Sequence, residues 1–113
     1  MKQMTHEEFL AEGKRRFGPK ARHWKFVCPA CGTVQTGQQY LDAGVSEEDV
    51  FDVIAYSCIG RFTGQGDAGI LAHHRGEKWD KGCNWTLGGL LRIHTLEVLI
   101  EGRARPTFEL AEE

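Results

Sequence analysis

The stretch "FVCPACGTV", residues 26–34, sets two cysteines two residues apart, with a proline between them and a glycine behind. In a chain of 113 residues, that spacing constrains the fold more than any other feature. A domain this size has a modest core, and a cross-link or a bound metal then bears on whether it folds. Three chemistries use the spacing: a redox dithiol, half of a disulfide framework, or half of a metal site.

A disulfide framework needs an oxidising compartment. The N-terminus "MKQMTHEEFL" lacks the long apolar stretch of a secretory signal, and no apolar run approaches a membrane span. The expectation is a cytoplasmic protein with reduced thiols and no membrane association. A redox dithiol places its first cysteine at a helix amino end, where the dipole lowers the thiol pKa. Here "GTVQTG" follows, and glycine, valine and two threonines start a helix poorly.

A metal knuckle fits better. Cys-Pro-x-Cys-Gly projects two thiolates from a tight turn between strands, and Gly32 can take the positive φ that aims backbone amides at sulfur. A closed tetrahedral site needs two more ligands, and Cys58 and Cys83 are the other thiols in the chain. Soft thiolates with no open coordination position select Zn2+, with an iron–sulfur cluster a distant second. His73 and His74 lie between Cys58 and Cys83, and either could replace one of them. His6 reads as exposed in the first helical turn, and His23 and His94 as hydrogen-bonded structural residues.

Around this centre the expected class is α+β: a small zinc-ribbon-like β-sheet domain with an N-terminal amphipathic helix, all within one domain, 1–113. The helix spans about 5–17. Thr5 caps it with Glu8 as the reciprocal partner, Met4 and Phe9 form a staple, and Gly18-Pro19 ends it. Phe9, Leu10, Gly13 and Phe17 make its apolar stripe. The ribbon-like core covers about 24–110. "WKFVC" and "GTVQ" read as a strand and its return, "GQQYLDAG" as a helical turn ending at Gly44, and "SEEDVF" as a helix start capped by Ser46. "DVIAYSC", "CNWTLGGLLRI" and "TLEVLIEG" read as strands, with "RPTFEL" pairing to the last across a turn at 102–106. Gly88-Gly89 reads as a bulge or turn. Residues 60–82 read as a long glycine-rich loop.

Charge is uneven. Residues 1–30 hold seven Lys/Arg against three Glu, and residues 31–60 hold five carboxylates and no Lys/Arg. The net charge of −2 lacks the basic bias of a dedicated nucleic-acid binder.

"RRFGP…WKFVCPACG", "SCIGR" and "GCNWTLGGLLRI" together resemble a group of small, uncharacterised bacteriophage and prophage zinc-ribbon-like proteins. The resemblance runs from about Phe9 to Ile93. It implies a zinc-bound β-rich fold with Cys28, Cys31, Cys58 and Cys83 as ligands, and no activity.

The leading functional expectation is a non-catalytic structural-zinc module that binds a host or phage protein. Its contact residues would lie in the 60–82 segment: Arg61, His73, His74, Arg75 and Trp79. The alternative is a nucleic-acid-binding ribbon using Lys14, Arg15, Arg16, Lys20, Arg22, Trp24 and Lys25, with Trp24 stacking on a base. A third, a His-Asn-His metal nuclease, is prompted by "HHRGEKWDKGCN", whose motif order fits it poorly.

Overall fold

The computed structural model describes residues 2–86 and 93–112, apart from the side chains of Asp52 and His73. The expected strand over "CNWTLGGLLRI" does not form at 83–85 or at Ile93, where the chain is irregular apart from a bridge at Thr86; its middle, 87–92, with the Gly88-Gly89 turn, lies outside the described residues.

Among the described residues, two three-stranded sheets and five short helices make an α+β fold. The chain opens with β1 (Lys2–Thr5), which the sequence reading did not anticipate, and runs directly into α1 (His6–Phe17). Thr5 caps α1 as expected. Its hydroxyl accepts from the Glu8 amide at 3.1 Å, and the Glu8 carboxylate accepts from the Thr5 amide at 2.9 Å. These hydrogen bonds lower the Glu8 pKa, the bond from the Thr5 backbone most. Gly18 ends the helix at φ 91°, a conformation that favours glycine. Of the expected stripe, Phe9 and Gly13 are buried and Phe17 is partly so, whereas Leu10 stays 37% exposed. Gly13 is required for contact: a Cβ there would stand 2.3 Å from the Trp24 ring.

After a 3-10 turn at Ala21–His23, the strands β2 (Lys25–Val27) and β3 (Val34–Thr36) pair antiparallel, as read from the sequence. The helix α2 (Gly37–Asp42) follows, and the chain turns at Gly44 with φ 101°. Ser46 accepts from the Asp49 amide and so starts the turns that lead into α3 (Val50–Val53).

Two sequence expectations give way here. "DVIAYSC" is not a strand: it finishes α3 and continues as turns, and only Ser57 makes a β-bridge, to Thr86. Residues 60–82 are not a structureless loop either. They hold α4 (Gly60–Thr63) and α5 (Gly66–His74).

The C-terminal strands close both sheets. β4 (Leu96–Ile100) pairs parallel with β1 and antiparallel with β5 (Arg103–Thr107). The β4–β5 turn is two residues, Glu101 and Gly102 at φ 53° and 78°, tighter than the expected turn over 102–106. β6 (Glu109–Leu110) then leaves the first sheet and pairs with β2. Phe108 sits at this crossing with no exposed surface, stacked on Trp85 at 5.6 Å and bonded through its amide to the Ala55 carbonyl. One core joins Phe9, Trp24, Phe26, Tyr40 and Leu96 to Cys28, Cys58 and Cys83. The thiols are thus part of the core, and both sheets are anchored to what holds them.

Candidate metal centre

Cys28 leaves β2 and Cys31 lies just before β3. The turn between them is closed by the Cys28 amide on the Thr33 carbonyl and the Gly32 amide on the Cys28 carbonyl, with Gly32 at φ 76°. Cys58 follows the turns after α3. Cys83 follows Gly82, whose φ of 88° turns the chain back toward α4. The four sulfur atoms lie within 4.8 Å of one another. Cys28 and Cys83 are 3.8 Å apart, and Cys31 and Cys58 are 3.7 Å apart. A tetrahedral thiolate site with metal–sulfur bonds of about 2.3 Å has sulfur–sulfur edges of about 3.8 Å. The donor set therefore fits a four-coordinate metal ion. It is the one group of three or more His, Cys, Asp or Glu ligand atoms brought together among the described residues.

Amide-to-sulfur bonds form, but not where the sequence reading put them. Gly32 gives its N–H to a carbonyl, while the Cys83 amide donates to the Cys58 sulfur at 3.1 Å and the Trp85 amide to the Cys83 sulfur at 3.4 Å. At Cys31 the partner is a hydroxyl, which accepts from the thiol. Thr33 Oγ1 accepts from the Gly82 amide and lies 3.1 Å from the Cys31 sulfur, so its own proton can face a thiolate.

Without a cation, four thiols this close divide their protons unequally. Cys31 is held far below the usual thiol range, first by the hydrogen bond from Cys28 and also by that from Thr33. Cys58 falls to about 7, with Cys28 again the largest cause. Cys28 is pushed far up, first by its bond to Cys31. Cys83 is drawn down by Cys28, but Cys31, Cys58 and burial together push it well up. A cation at the centre removes the conflict, because all four sulfurs can then carry charge.

A polar layer behind the sulfurs escaped the sequence reading. Gln35 has no exposed surface. Its amide nitrogen donates to the Thr33 carbonyl at 3.0 Å, and its oxygen accepts from the Ile59 amide at 2.6 Å and the Tyr40 hydroxyl at 2.7 Å. Tyr40 OH also lies 2.5 Å from the Ser57 carbonyl. Together these bonds clamp the residues on either side of Cys58 to the β2–β3 knuckle. Burial, and then the charge of the nearby cysteines, pushes the Tyr40 hydroxyl well above the tyrosine range, so it stays a donor. The same parity along β3 puts Thr33 and Gln35 inward, yet nothing in "TVQ" announces a partner on α2.

The remaining sequence-derived candidates are not drawn into the centre. His74 is exposed on α5, His6 and His23 are exposed, and the His73 side chain lies outside the described residues. His94 was expected to be hydrogen-bonded, but its buried Nδ1 has no partner among the described residues, and Nε2 lies 3.7 Å from a Glu97 oxygen. Trp79 is half-buried and braces the fold: its indole N–H donates to the Gly82 carbonyl at 2.5 Å. Arg61 donates to the Asn84 carbonyl at 2.7 Å, and Arg75 lies 4.0 Å from Glu77.

Trp24, cast as a base-stacking residue, is 3% exposed, with its ring against Gly13 and its N–H on the Gly18 carbonyl. Arg15 and Arg16 both bond Glu12, at 2.5 and 2.6 Å, and these bonds, Arg15 first, lower the Glu12 pKa to about 2. Lys14, Lys20, Arg22 and Lys25 are exposed. Among the described residues, no helix is long and apolar enough to cross a membrane.

A family model described as VVA0879-like matches residues 5–111, a span that takes in all four cysteines and every strand but β1. No curated protein matches the chain, and no solved structure does.

Proposed function

Taking as premise that the chain belongs to the VVA0879-like family, we propose that it is a non-catalytic structural-zinc module that mediates a macromolecular interaction. The observation that carries this reading is the convergence of four core cysteines at tetrahedral spacing. Four thiolates leave no position for water or substrate, which separates a structural zinc site from a catalytic one. An all-sulfur tetrahedron with amide donors favours zinc over harder cations.

The partner in this reading is a host or phage protein, and the chain is phage- or prophage-encoded and works in the cytoplasm. The order CPxCG, SCIGR, GCNW is the support for that origin. Protein ranks above nucleic acid because Trp24 is spent on the core and Arg15 and Arg16 on Glu12. The test is affinity capture from host lysate on the zinc-loaded chain, with and without nuclease. The reading expects a protein retained after nuclease treatment. Retained material that disappears with nuclease assigns the module to nucleic acid instead.

A further inference from the structure

α1, α3 and the first sheet enclose an apolar cleft of about 270 Å³ that none of the four cysteines lines. Its walls include Phe9, Ile54, Tyr56, Val98 and Ile100. Leu10 and Phe51 line it as well and remain 37% and 54% exposed. A folded chain gains nothing from leaving Phe51 half in water, and a concave apolar site with exposed aromatic edges is what a partner's side chains fill. The volume is small for a drug-sized ligand and suits one or two large apolar side chains.

Charge around the cleft indicates what carries those side chains. Among the described side chains, no carboxylate lines it. On one flank, an adjoining groove shares Ala21 and Phe51 and adds Lys20 and Arg22 against a single carboxylate, Glu47. On the other flank, Val98 pairs with Arg105 and Ile100 with Arg103, so both arginines project from the cleft-lining face of the sheet. All four cations are exposed, and none makes an ion pair among the described residues. We infer that this cleft is the docking site for an acidic amphipathic segment of a partner protein, with apolar side chains in the cleft and carboxylates on Lys20, Arg22, Arg103 and Arg105. A nucleic-acid strand would satisfy the cations but brings nothing to fill an apolar cleft of this depth. The inference rests on the interaction-module reading and names its surface.

The test uses the zinc-loaded full chain and fluorescein-labelled helical peptides of about 16 residues, with Leu and Phe at i, i+4 and i+7. One peptide carries Glu at the polar positions and its control carries Lys. Saturable binding of the Glu peptide, weakened by salt and absent for the Lys peptide, supports the inference. Leu10→Ala with Phe51→Ala, and separately Arg103→Glu with Arg105→Glu, should each weaken binding about tenfold or more. Both pairs are exposed, and zinc content and melting temperature show whether each variant is folded. Equal binding of the two peptides, or no loss in folded variants of either pair, overturns the inference. So does displacement of the Glu peptide by an oligonucleotide or by a long-chain fatty acid at lower concentration. If a lysate partner is captured equally by the Leu10/Phe51 variant, the cleft assignment fails while the interaction reading stands. If the chain holds no zinc, the module reading falls first.

Discussion

At Gln35, one side chain bonds the Ile59 amide, the Tyr40 hydroxyl and the Thr33 carbonyl; the last two also meet the Ser57 carbonyl and the Cys28 amide. Removing it strips a bond from each of them, and a buried Ile59 amide left unsatisfied costs about 1–3 kcal/mol. Gln35→Leu should therefore lower stability by about 2–4 kcal/mol in urea denaturation. Because Ile59 and Ser57 flank Cys58, the same change should weaken metal affinity about 10- to 100-fold in chelator competition. An unchanged affinity would show that the clamp stabilises the fold without tuning the site. Thr33 gives a finer contrast: Thr33→Val keeps the shape but removes the hydroxyl between Gly82 and Cys31. It should speed zinc release in the same assay while leaving the tetrahedron intact.

Among the elements, the glycines of α4 and α5 explain why the 60–82 segment misled the sequence reading. They are there because backbone meets backbone. A Cβ on Gly60 would stand 2.6 Å from the Cys83 carbonyl oxygen, and one on Gly69 would stand 2.2 Å from the Gly82 oxygen. Glycine density read as looseness is close packing of two helices on the Cys83 turn. Gly82→Ala adds a left-handed φ to a 2.4 Å clash with the Gly60 amide and should cost more than about 2 kcal/mol, seen as a lower melting temperature. Trp79→Ala should also destabilise, since the indole braces that same turn.

"DVIAYSC" misled for another reason. Its β-branched and aromatic residues favour a strand, but Val50, Ile54, Ala55, Cys58 and Ile59 are buried at helical spacing, and packing overrode propensity. The α1 cap, the β2–β3 knuckle and the four ligands were legible because each is set by residues close in sequence or by an exclusive chemistry. β1 was not: its partner, β4, lies more than ninety residues away, and "KQMT" carries no alternation of its own.

For the whole molecule, the four-cysteine cluster is where three pieces meet: the β2–β3 knuckle, the turns after α3, and the turn after α5 that carries Cys83. A core of this size leans on that junction, and structural zinc can contribute about 10 kcal/mol or more. Acidification should act on it in two ways. Glu12 and Glu109 have folded pKa values below the ordinary 4.5, Glu12 through Arg15 and Arg16, and Glu109 first through Lys2 and then Thr95. Their contribution is present above pH 4.5 and is lost as pH falls through the folded values, toward about 2 for Glu12. Zinc leaves as protons compete for the thiolates. The unfolding midpoint on acid titration should therefore move to lower pH as zinc is added, and a midpoint independent of zinc would mean that the carboxylates alone govern it.

The most direct measurement is the metal content and coordination of the chain purified under reducing conditions without added metal, by elemental analysis and X-ray absorption at the zinc edge. The account predicts one zinc per chain with four sulfur neighbours at about 2.3 Å, and loss of the folded state when a chelator removes it. A metal-free chain that melts cooperatively at the same temperature, or one isolated with a Cys28–Cys31 disulfide, would contradict it.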